Sequence, residues 1–299
     1  MLPTGKIEVV SGSTPHGQGH ETAWSMIIAD KMGVDPNDVE VLHSDTAKSP
    51  LGLDTYGSRS LAVGGVAIAM AADKVIEKAK LIAAHQFEAA PEDVQFEAGA
   101  FSVAGTPAKS VHIQELGFAA FAAHDLPDGM EPNLQEQVSF DPPNFAFPFG
   151  THVAVVEIDT ETGGVDLIDY IAVDDCGHQV NPMIVEGQLH GGIAQGVAQA
   201  LFEEAVYDED GNINNPSFMD YLVPSAMELP SMQLDFTVTP STTNPLGVKG
   251  AGEAGTIGSA AAVMNAVVDA LSPYGVKDMD MPATPKRVWE AINSAGGAA

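Results

Sequence analysis

The chain has 299 residues, of which 45% are hydrophobic, so it is long enough to bury two packed units rather than one. Its 41 acidic residues against 12 Lys and Arg give a formal net charge of −29. This charge makes nucleic acid and anionic membranes poor partners, because both require clustered positive charge. The single cysteine, Cys176, excludes an internal disulfide framework and a Cys-rich metal site.

The surplus of acidic residues predicts a host with a salt-rich cytoplasm. Dense carboxylates keep a protein hydrated in concentrated salt, while the salt screens their mutual repulsion. An acidic protein from a low-salt host is the alternative. The chain has no uninterrupted run of eighteen apolar residues, and its start, MLPTGKIEVV, lacks a signal-peptide pattern. We therefore expect a cytoplasmic protein without a membrane span.

The first half of the chain, residues 1–145, opens with a predicted strand over residues 5–10, where apolar and polar residues alternate. The loop "SGSTPHGQGHET" follows and leads into a helix that Gly33 is expected to end. Residues 39–43 alternate again and predict a second strand.

A second glycine-rich loop, "LGLDTYGSRS", leads into a long predicted helix from Leu61 to Phe87, whose first half is rich in small residues. Small residues let such a helix pack closely against a neighbour. Residues 91–103 predict a turn and short strands, and Ser110 is expected to cap a helix over residues 111–122. A proline-rich connection then ends the first half.

The second half, residues 146–299, begins with a predicted hairpin whose strands are residues 151–158 and 165–173, joined by "DTETGG". Pro182 is expected near the first position of a helix that runs to Glu204.

A strand is predicted near residues 232–239, followed by the loop "GVKGAGEAG" and an apolar helix. A last strand near Val276 and a helix over residues 285–293 close the chain. Both halves mix strands with helices, so the predicted fold class is α+β.

Three loops share one design: "TPHGQGHET", "TYGSRSLAVGG" and "GVKGAGEAGTIGS" each place glycines and small polar residues directly before a helix. Glycine lets backbone N–H groups approach a ligand closely, and the helix start adds a positive dipole, so such loops suit phosphate or another anion. Arg59 would add a side chain shaped to bind phosphate. Any one of these loops, taken alone, is more often a tight connection, but three in one chain, one with Arg59 and one with Glu253, favour ligand binding.

Glu253 is the only acid in the glycine-rich stretch that begins at Gly247. Enclosed by glycine backbone, it could be a carboxylate poised to act as a general base. It could equally be an ordinary acid placed at a helix start for the dipole. The histidines, among them His16 and His20, match no standard zinc spacing and are expected to be satisfied polar residues near loops.

The segments "HGQGHETAWSMIIADKMGVDPNDVEVLHSDT", "GLDTYGSRSLAVGG", "NPMIVEGQLHGGIAQGVAQALFEE" and "GVKGAGEAG" together resemble the molybdenum hydroxylase family. That family includes xanthine dehydrogenase, aldehyde oxidoreductase and the large subunit of aerobic carbon monoxide dehydrogenase, and the loops are most similar to the last group. The resemblance covers nearly the whole chain and corresponds to the C-terminal, second molybdopterin-binding domain of the family's large subunit.

The resemblance implies a molybdenum cofactor, molybdopterin in its cytosine dinucleotide form, held by hydrogen bonds rather than by protein ligands to the metal. The implied cofactor-binding residues are Gly17, Gln18, Gly19, Gly57, Ser58, Arg59, Gly250 and Gly252. Glu253 would be the base that takes the proton from a metal-bound hydroxyl as its oxygen attacks the substrate carbon.

The same resemblance implies partners: the upstream half of the large subunit, and separate iron–sulfur and flavin subunits. The copper-binding cysteine of carbon monoxide dehydrogenases lies in an upstream motif, so no copper site is expected here and Cys176 does not take that role. A cofactor-binding or interaction fragment, inactive alone and derived from a split or decayed gene, is the second hypothesis. An unrelated acidic α+β binding protein is a third. The substrate, whether carbon monoxide, an aldehyde or a purine, is left open.

Overall fold

A computed structural model describes residues 1–295 and shows two compact units. Unit 1 comprises residues 1–146 and the later segment 241–248, and unit 2 comprises residues 147–240 together with the chain from Lys249 onward. The sequence predicted a single division after residue 145 and did not predict that a later segment belongs with the first unit. Both units combine helices with strands, which confirms the α+β class.

Unit 1 contains a parallel strand pair and an antiparallel meander. Its elements are β1 (Ile7–Val10), α1 (His20–Met32), β2 (Val39–Leu42), α2 (Val66–Phe87), β3 (Val94–Glu97), β4 (Ala100–Val103), β5 (Thr106–His112) and α3 (Ile113–Ala122). β1 and β2 are parallel, with α1 as the connecting helix, whereas β3, β4 and β5 pair in chain order.

Helices α1 and α2 pack together around Trp24, which is fully buried. One π-helical turn, Leu61–Gly65, precedes α2. A Cβ on Gly65 would lie 2.9 Å from Leu61 Cδ1 and 3.5 Å from the Trp24 indole nitrogen, so the glycine leaves room for the Leu61 side chain while the indole lies at an ordinary contact distance. Gly33 ends α1 in the left-handed conformation, φ 62°, as predicted.

The expected cap at Ser110 is wrong. Ser110 lies within β5, opposite Ser102 of β4, so strand pairing continues past it. Helix α3 begins three residues later, and His112 is its N-cap. The His112 ring accepts from the backbone of Gln114, while the Glu115 side chain accepts from the His112 N–H at 3.3 Å, a reciprocal capping box.

Unit 2 is a three-stranded sheet with helices packed on one face. Its elements are β6 (Phe149–Ile158), β7 (Val165–Asp175), α4 (Pro182–Leu201), β8 (Met232–Thr237), α5 (Ala254–Leu271) and α6 (Pro285–Ala295). The antiparallel β6–β7 hairpin matches the prediction, and β8 adds in parallel to β7. Side chains from the sheet, α4, α5 and α6 form one apolar core.

No strand forms at Val276, contrary to the prediction. A 3₁₀ turn, Ser272–Tyr274, follows α5 directly, and Val276 is buried in the core from an irregular segment. Its apolar character therefore reflects burial without sheet pairing.

The segment Ala254–Tyr274 is long and apolar enough to cross a membrane by length and composition alone. Helix α5, which forms most of it, also fits the core of a soluble domain. Val263, Val267 and Leu271 along it are fully buried against the other elements of unit 2. Packing within this unit therefore accounts for part of its hydrophobicity, since 33% of the apolar window is buried.

Helices α4 and α5 meet through glycine. A Cβ on Gly255 would lie 2.7 Å from both the Ile193 nitrogen and the Leu189 carbonyl oxygen of α4. A Cβ on Gly196 would lie 3.0 Å from the backbone nitrogen of Ala260 in α5. The two backbones are therefore in direct contact, and the start of α5 is fixed on α4.

We expect Gly255→Ala to destabilise the protein by about 1–3 kcal/mol, because the new methyl group must push two helix backbones apart. Gly187→Ala is the matched control, since a Cβ at this exposed α4 position meets no atom within 4 Å. The control should be neutral or stabilising by up to about 1 kcal/mol, from helix propensity. Urea unfolding of both variants measures the difference, and equal stabilities would contradict the packing described here.

Candidate functional site

The two glycine loops of unit 1 lie side by side. The backbone N–H of Thr14 in the first loop donates to Asp54 Oδ1 in the second at 2.9 Å. Gly12 and Gly52 are in direct backbone contact, so that a Cβ on Gly52 would lie 2.1 Å from the Gly12 carbonyl oxygen. The loops that carry Gln18 and Arg59 therefore form one continuous surface of unit 1.

The first loop enters α1 through residues 17–19. Gly17 and Gly19 have φ angles of 93° and 76°, which favour glycine. Gly19 is the N-cap of α1, and no side chain caps that helix. The half-buried Gln18 folds back onto its own loop, where its Oε1 accepts from the His16 N–H. The backbone N–H groups of the first turn of α1 are thus left without a side-chain acceptor.

The second loop turns sharply at residues 57 and 58, where Gly57 and Ser58 have φ angles of 54° and 53°. Arg59 follows and lies over its own loop. Its Nη1 donates to the Asp54 carbonyl at 3.3 Å, and its guanidinium carbon is 5.2 Å from the centroid of the Tyr56 ring. One of the five N–H donors of the guanidinium is used in this bond, so the group is oriented while keeping donors for a ligand.

His20, at the first turn of α1, was not recognised as a site residue from the sequence. It is 6% exposed, its ring lies 4.3 Å from that of Trp24, and its Nδ1 is buried without a hydrogen-bond partner. Burial lowers the pKa of His20, so the neutral ring is favoured. The expectation that the loop histidines are satisfied is wrong here. A buried polar atom without a hydrogen-bond partner therefore lies directly after Gly19, at the start of α1.

Glu253, Gly250 and Gly252 belong to unit 2. Glu253 is the N-cap of α5, but its side chain does not cap the helix. Gly250 is buried, whereas Gly252 and Glu253 are exposed, so the glycines do not enclose the carboxylate within unit 2. The position at the positive end of α5 matches the alternative interpretation of a helix-start acid, and it also leaves the carboxylate accessible to a substrate.

A buried ion pair anchors the loop that carries Glu253. Lys249 Nζ donates to Asp175 Oδ1 at 2.9 Å, with the two side chains 8% and 0% exposed. The Lys249 backbone N–H also donates to the Cys176 carbonyl at 2.8 Å. Lys249 Nζ lies 4.6 Å from the centroid of the Phe149 ring. The start of this loop is therefore fixed to the ends of β6 and β7.

Asp175 accepts further hydrogen bonds, from the Gly177 N–H and the Thr237 hydroxyl, both at 3.0 Å. Burial by itself would raise the pKa of Asp175, but the Lys249 ammonium and these donors outweigh it and hold the pKa well below its usual range. Asp175 is therefore ionised at neutral pH. The neighbouring Cys176 is the opposite case, since burial and the Asp175 charge raise the pKa of its thiol to about 11.

A second buried network lies beneath the first turns of α5. His152 on β6 bonds through Nε2 to Asp174 at 3.0 Å and through Nδ1 to the Tyr170 hydroxyl at 2.7 Å. A Cβ on Gly258 of α5 would lie 2.6 Å from His152 Nδ1, so this ring supports the helix directly. Burial, and then Asp174, raise the pKa of Tyr170.

This network was also missed from the sequence, although a signal exists. His152 and Asp174 occupy inward positions of strands whose other inward residues are mostly apolar. Polar residues at such positions need partners, and the strand register places them at the same end of the hairpin. Within residues 1–295, no group of three His, Cys, Asp or Glu side chains is arranged to hold a metal ion.

Comparison with known proteins adds to this geometry. Residues 1–230 match the family model described as the molybdopterin cofactor-binding domain. The chain is 42% identical over 290 residues to the carbon monoxide dehydrogenase large chain of Hydrogenophaga pseudoflava, an alignment that covers 97% of this chain and 36% of that relative.

Two solved structures are similar in fold. Reconstituted CO dehydrogenase from Oligotropha carboxidovorans superposes with a TM-score of 0.93 and 38% identity, covering 100% of this chain and 37% of that one. Quinoline 2-oxidoreductase from Pseudomonas putida 86 gives a TM-score of 0.89 and 41% identity, covering 97% and 37%. The chain therefore spans little more than a third of the length of the proteins it matches.

We expect Asp175→Asn and Lys249→Met each to cost about 3–5 kcal/mol, because each leaves a buried charge without its partner. The double variant should cost less than the sum of the two. The matched control is the exposed pair Lys31–Asp73, at 2.6 Å, whose Lys31→Met and Asp73→Asn variants should each cost under about 1 kcal/mol. Denaturant unfolding of all five variants gives these values, and additive single effects at Asp175 and Lys249 would contradict the coupling.

The pH dependence follows from the lowered pKa of Asp175. Because the unfolded carboxyl titrates near pH ~4, the stabilisation is fully present above that value and is lost as the pH falls through the folded-state pKa. Asp175→Asn should therefore show a smaller loss of stability on acidification than the unmodified chain.

Proposed function

The chain belongs to the molybdopterin cofactor-binding domain family, and from this premise we propose that it contributes cofactor contacts and the catalytic base to a molybdenum hydroxylase. It is the partial chain of a large subunit similar to those of carbon monoxide dehydrogenase and xanthine dehydrogenase. The reaction is oxidative hydroxylation of a small molecule. The family match over residues 1–230, which contains both adjacent glycine loops, is the observation that carries the proposal.

The residues of unit 1 fit an anionic pterin cofactor. The start of α1 has no side-chain cap, and the buried Nδ1 of His20 has no partner beside it. A Cβ on Gly17 or Gly57 would meet no atom within 4 Å, so the backbone there is open to an incoming group. In this proposal Gly17, Gln18 and Gly19 contact the pterin and phosphate, and Gly57, Ser58 and Arg59 bind the same cofactor.

Bound molybdopterin would supply a molybdenum centre that accepts two electrons from the substrate. Within this chain, the Glu253 carboxylate acts as general base and accepts the proton released when the new carbon–oxygen bond forms. In this proposal Gly250 and Gly252 also belong to the cofactor site. The exposed Gly252 has no side chain, so a bulky group can approach the backbone directly beside Glu253. The ion pair of Lys249 with Asp175 holds this loop in a fixed place while the proton moves.

The proposal includes the partners that such chemistry requires. Electrons leave through iron–sulfur and flavin subunits, because the chain has only one cysteine and cannot hold a cluster itself. The remainder of the large subunit supplies the other contacts to the cofactor, which we propose to be the cytosine dinucleotide form. We do not propose a copper role for Cys176, because it does not lie in the family's copper-binding motif and its thiol is buried. We place the complex in the cytoplasm.

The second candidate is a cofactor-binding or interaction fragment that is inactive alone. It is favoured by one observation, that the chain covers 36% of the length of the carbon monoxide dehydrogenase large chains it matches. The two candidates differ in whether the complex purified from the host contains molybdenum and pterin in amounts equal to this chain and turns over substrate.

We expect Glu253→Gln in the assembled complex to reduce kcat by at least about 100-fold, since a general base contributes 10²–10⁴-fold. Molybdenum and pterin content should be unchanged, because the amide keeps the size of the side chain. Glu161→Gln, in the exposed hairpin turn, is the matched control and should keep full activity. Turnover of the Glu253→Gln complex within a few-fold of the unmodified complex would show that Glu253 is not the base.

We further propose that the protein is adapted to a salt-rich cytoplasm. The 41 acidic residues outnumber the 12 Lys and Arg, so most carboxylates cannot form an ion pair with a Lys or Arg. The melting temperature should therefore rise with KCl mainly below about 1 M, where the screening length falls from about 10 Å to about 3 Å. A melting temperature that stays constant between about 0.05 and about 1 M KCl would contradict halophily.

A further inference from the structure

A groove of about 460 Å³ runs along the edge of β1 in unit 1. Consecutive residues of the strand line it, including Ile7, Glu8, Val9 and Val10, so the groove follows the edge of the strand rather than one face. Its floor is apolar and is formed by α1 and α2, with Ile28 and Met32 among the lining residues. The groove therefore borders the edge of β1 and the apolar sides of α1 and α2.

The hydrogen-bonding direction of β1 can be read from its neighbours. Ser11 directly follows β1, and its N–H donates to the carbonyl of Leu42 in β2 at 2.9 Å. The backbone groups of Ser11 therefore point towards β2. Backbone groups alternate sides along a strand, so those of Ile7 and Val9 point to β2 and those of Glu8 and Val10 point into the groove. Within residues 1–295, no backbone group pairs with the N–H or carbonyl of Glu8 or Val10.

The far side of the groove is lined by residues 134–140, LQEQVSF. This segment runs without a bend or turn and has no strand partner in the described chain. Its burial alternates: Leu134, Glu136, Val138 and Phe140 are less exposed than the residues between them. Such alternation is typical of a strand with one face on a core. Two strand-like edges therefore border the same groove.

A parallel pair of two strands is not a stable sheet by itself, because parallel sheets are normally buried and wider. We propose that the groove receives an extended segment from the remainder of the large subunit, which pairs by its main chain with Glu8 and Val10 of β1. The segment would join β2, β1 and residues 134–140 into one sheet. Its side chains should alternate, with apolar residues directed at α1 and α2.

The occupant follows from length and charge. The relatives contain about two thirds of their length outside the matched region, since the chain covers 36% of them. At low ionic strength a second copy of this chain is disfavoured, because each copy carries a net charge of −29 and the copies repel. The inference rests on the proposed function in one respect, that this chain works within a larger subunit. The groove also borders Arg59 and Gly52 of the second glycine loop, but the main-chain pairing with β1 does not involve Glu253.

The test uses this chain and, as the probe, the part of the Hydrogenophaga pseudoflava large chain outside the matched region, expressed separately. Hydrogen–deuterium exchange of the Glu8 and Val10 amides is measured with and without the probe. We expect both amides to become protected. Glu8→Pro should weaken binding at least about 10-fold, because it removes an N–H that faces the groove and places a ring there.

Glu8→Ala is the matched control, since it removes the same side chain, keeps the N–H and should bind within about 3-fold of the unmodified chain. Ala67→Phe fills the groove from α2 without changing the strand and should also abolish binding while the chain still melts cooperatively. The proposal is overturned if no complex forms, if the complex leaves both amides unprotected, or if Ala67→Phe and Glu8→Pro bind like the unmodified chain. Cofactor content and turnover are not read in this experiment, so its failure leaves the proposed chemistry to be judged separately.

Discussion

The arrangement of unit 2 depends on the buried pair of Asp175 and Lys249. Two opposite charges in an apolar interior have few acceptable positions, because each needs the other and further hydrogen bonds to offset its lost hydration. Asp175 accepts hydrogen bonds from Gly177 and Thr237, and the Lys249 ammonium lies over the Phe149 ring in a cation–π contact. As a result, Asp175 and Lys249, which are distant in the chain, lie together at the end of the sheet. The loop that carries Glu253 and leads into α5 begins there, at Lys249.

Glycine sets the second constraint on α5. Gly255 places its backbone against α4, and Gly258 places it against the ring of His152. The helix is therefore held on two sides by contacts that allow no side chain. Beneath it, His152, Asp174 and Tyr170 satisfy one another, so the polar groups at this end of the sheet cost little when buried. A glycine-rich sequence, which by itself indicates flexibility, here produces close and rigid packing.

Much of the fold could be predicted from local patterns. The alternation of apolar and polar residues predicted the β6–β7 hairpin, Gly33 predicted the end of α1, and Pro182 predicted the start of α4. These predictions were confirmed because each signal acts within a few residues. The predicted N-cap at Ser110 was wrong because β5 stays paired with β4 as far as His112. No helix can therefore begin at Ser110. The pair of Asp175 and Lys249 could not be predicted, since 74 residues separate them and no periodic pattern links them. The orphan nitrogen of His20 is likewise a property of packing against Trp24, which composition does not encode.

The burial of Cys176 has a practical consequence. The thiol is inaccessible and its pKa of about 11 keeps it protonated, so ordinary alkylating and maleimide reagents will react with it very slowly while unit 2 is folded. Since the chain has only one cysteine, a new cysteine placed on the surface becomes the single reactive position for a spin label, a fluorophore or a cross-linker. The reactivity of the Cys176 thiol would then measure the unfolding of unit 2, since the thiol becomes accessible only when this unit unfolds.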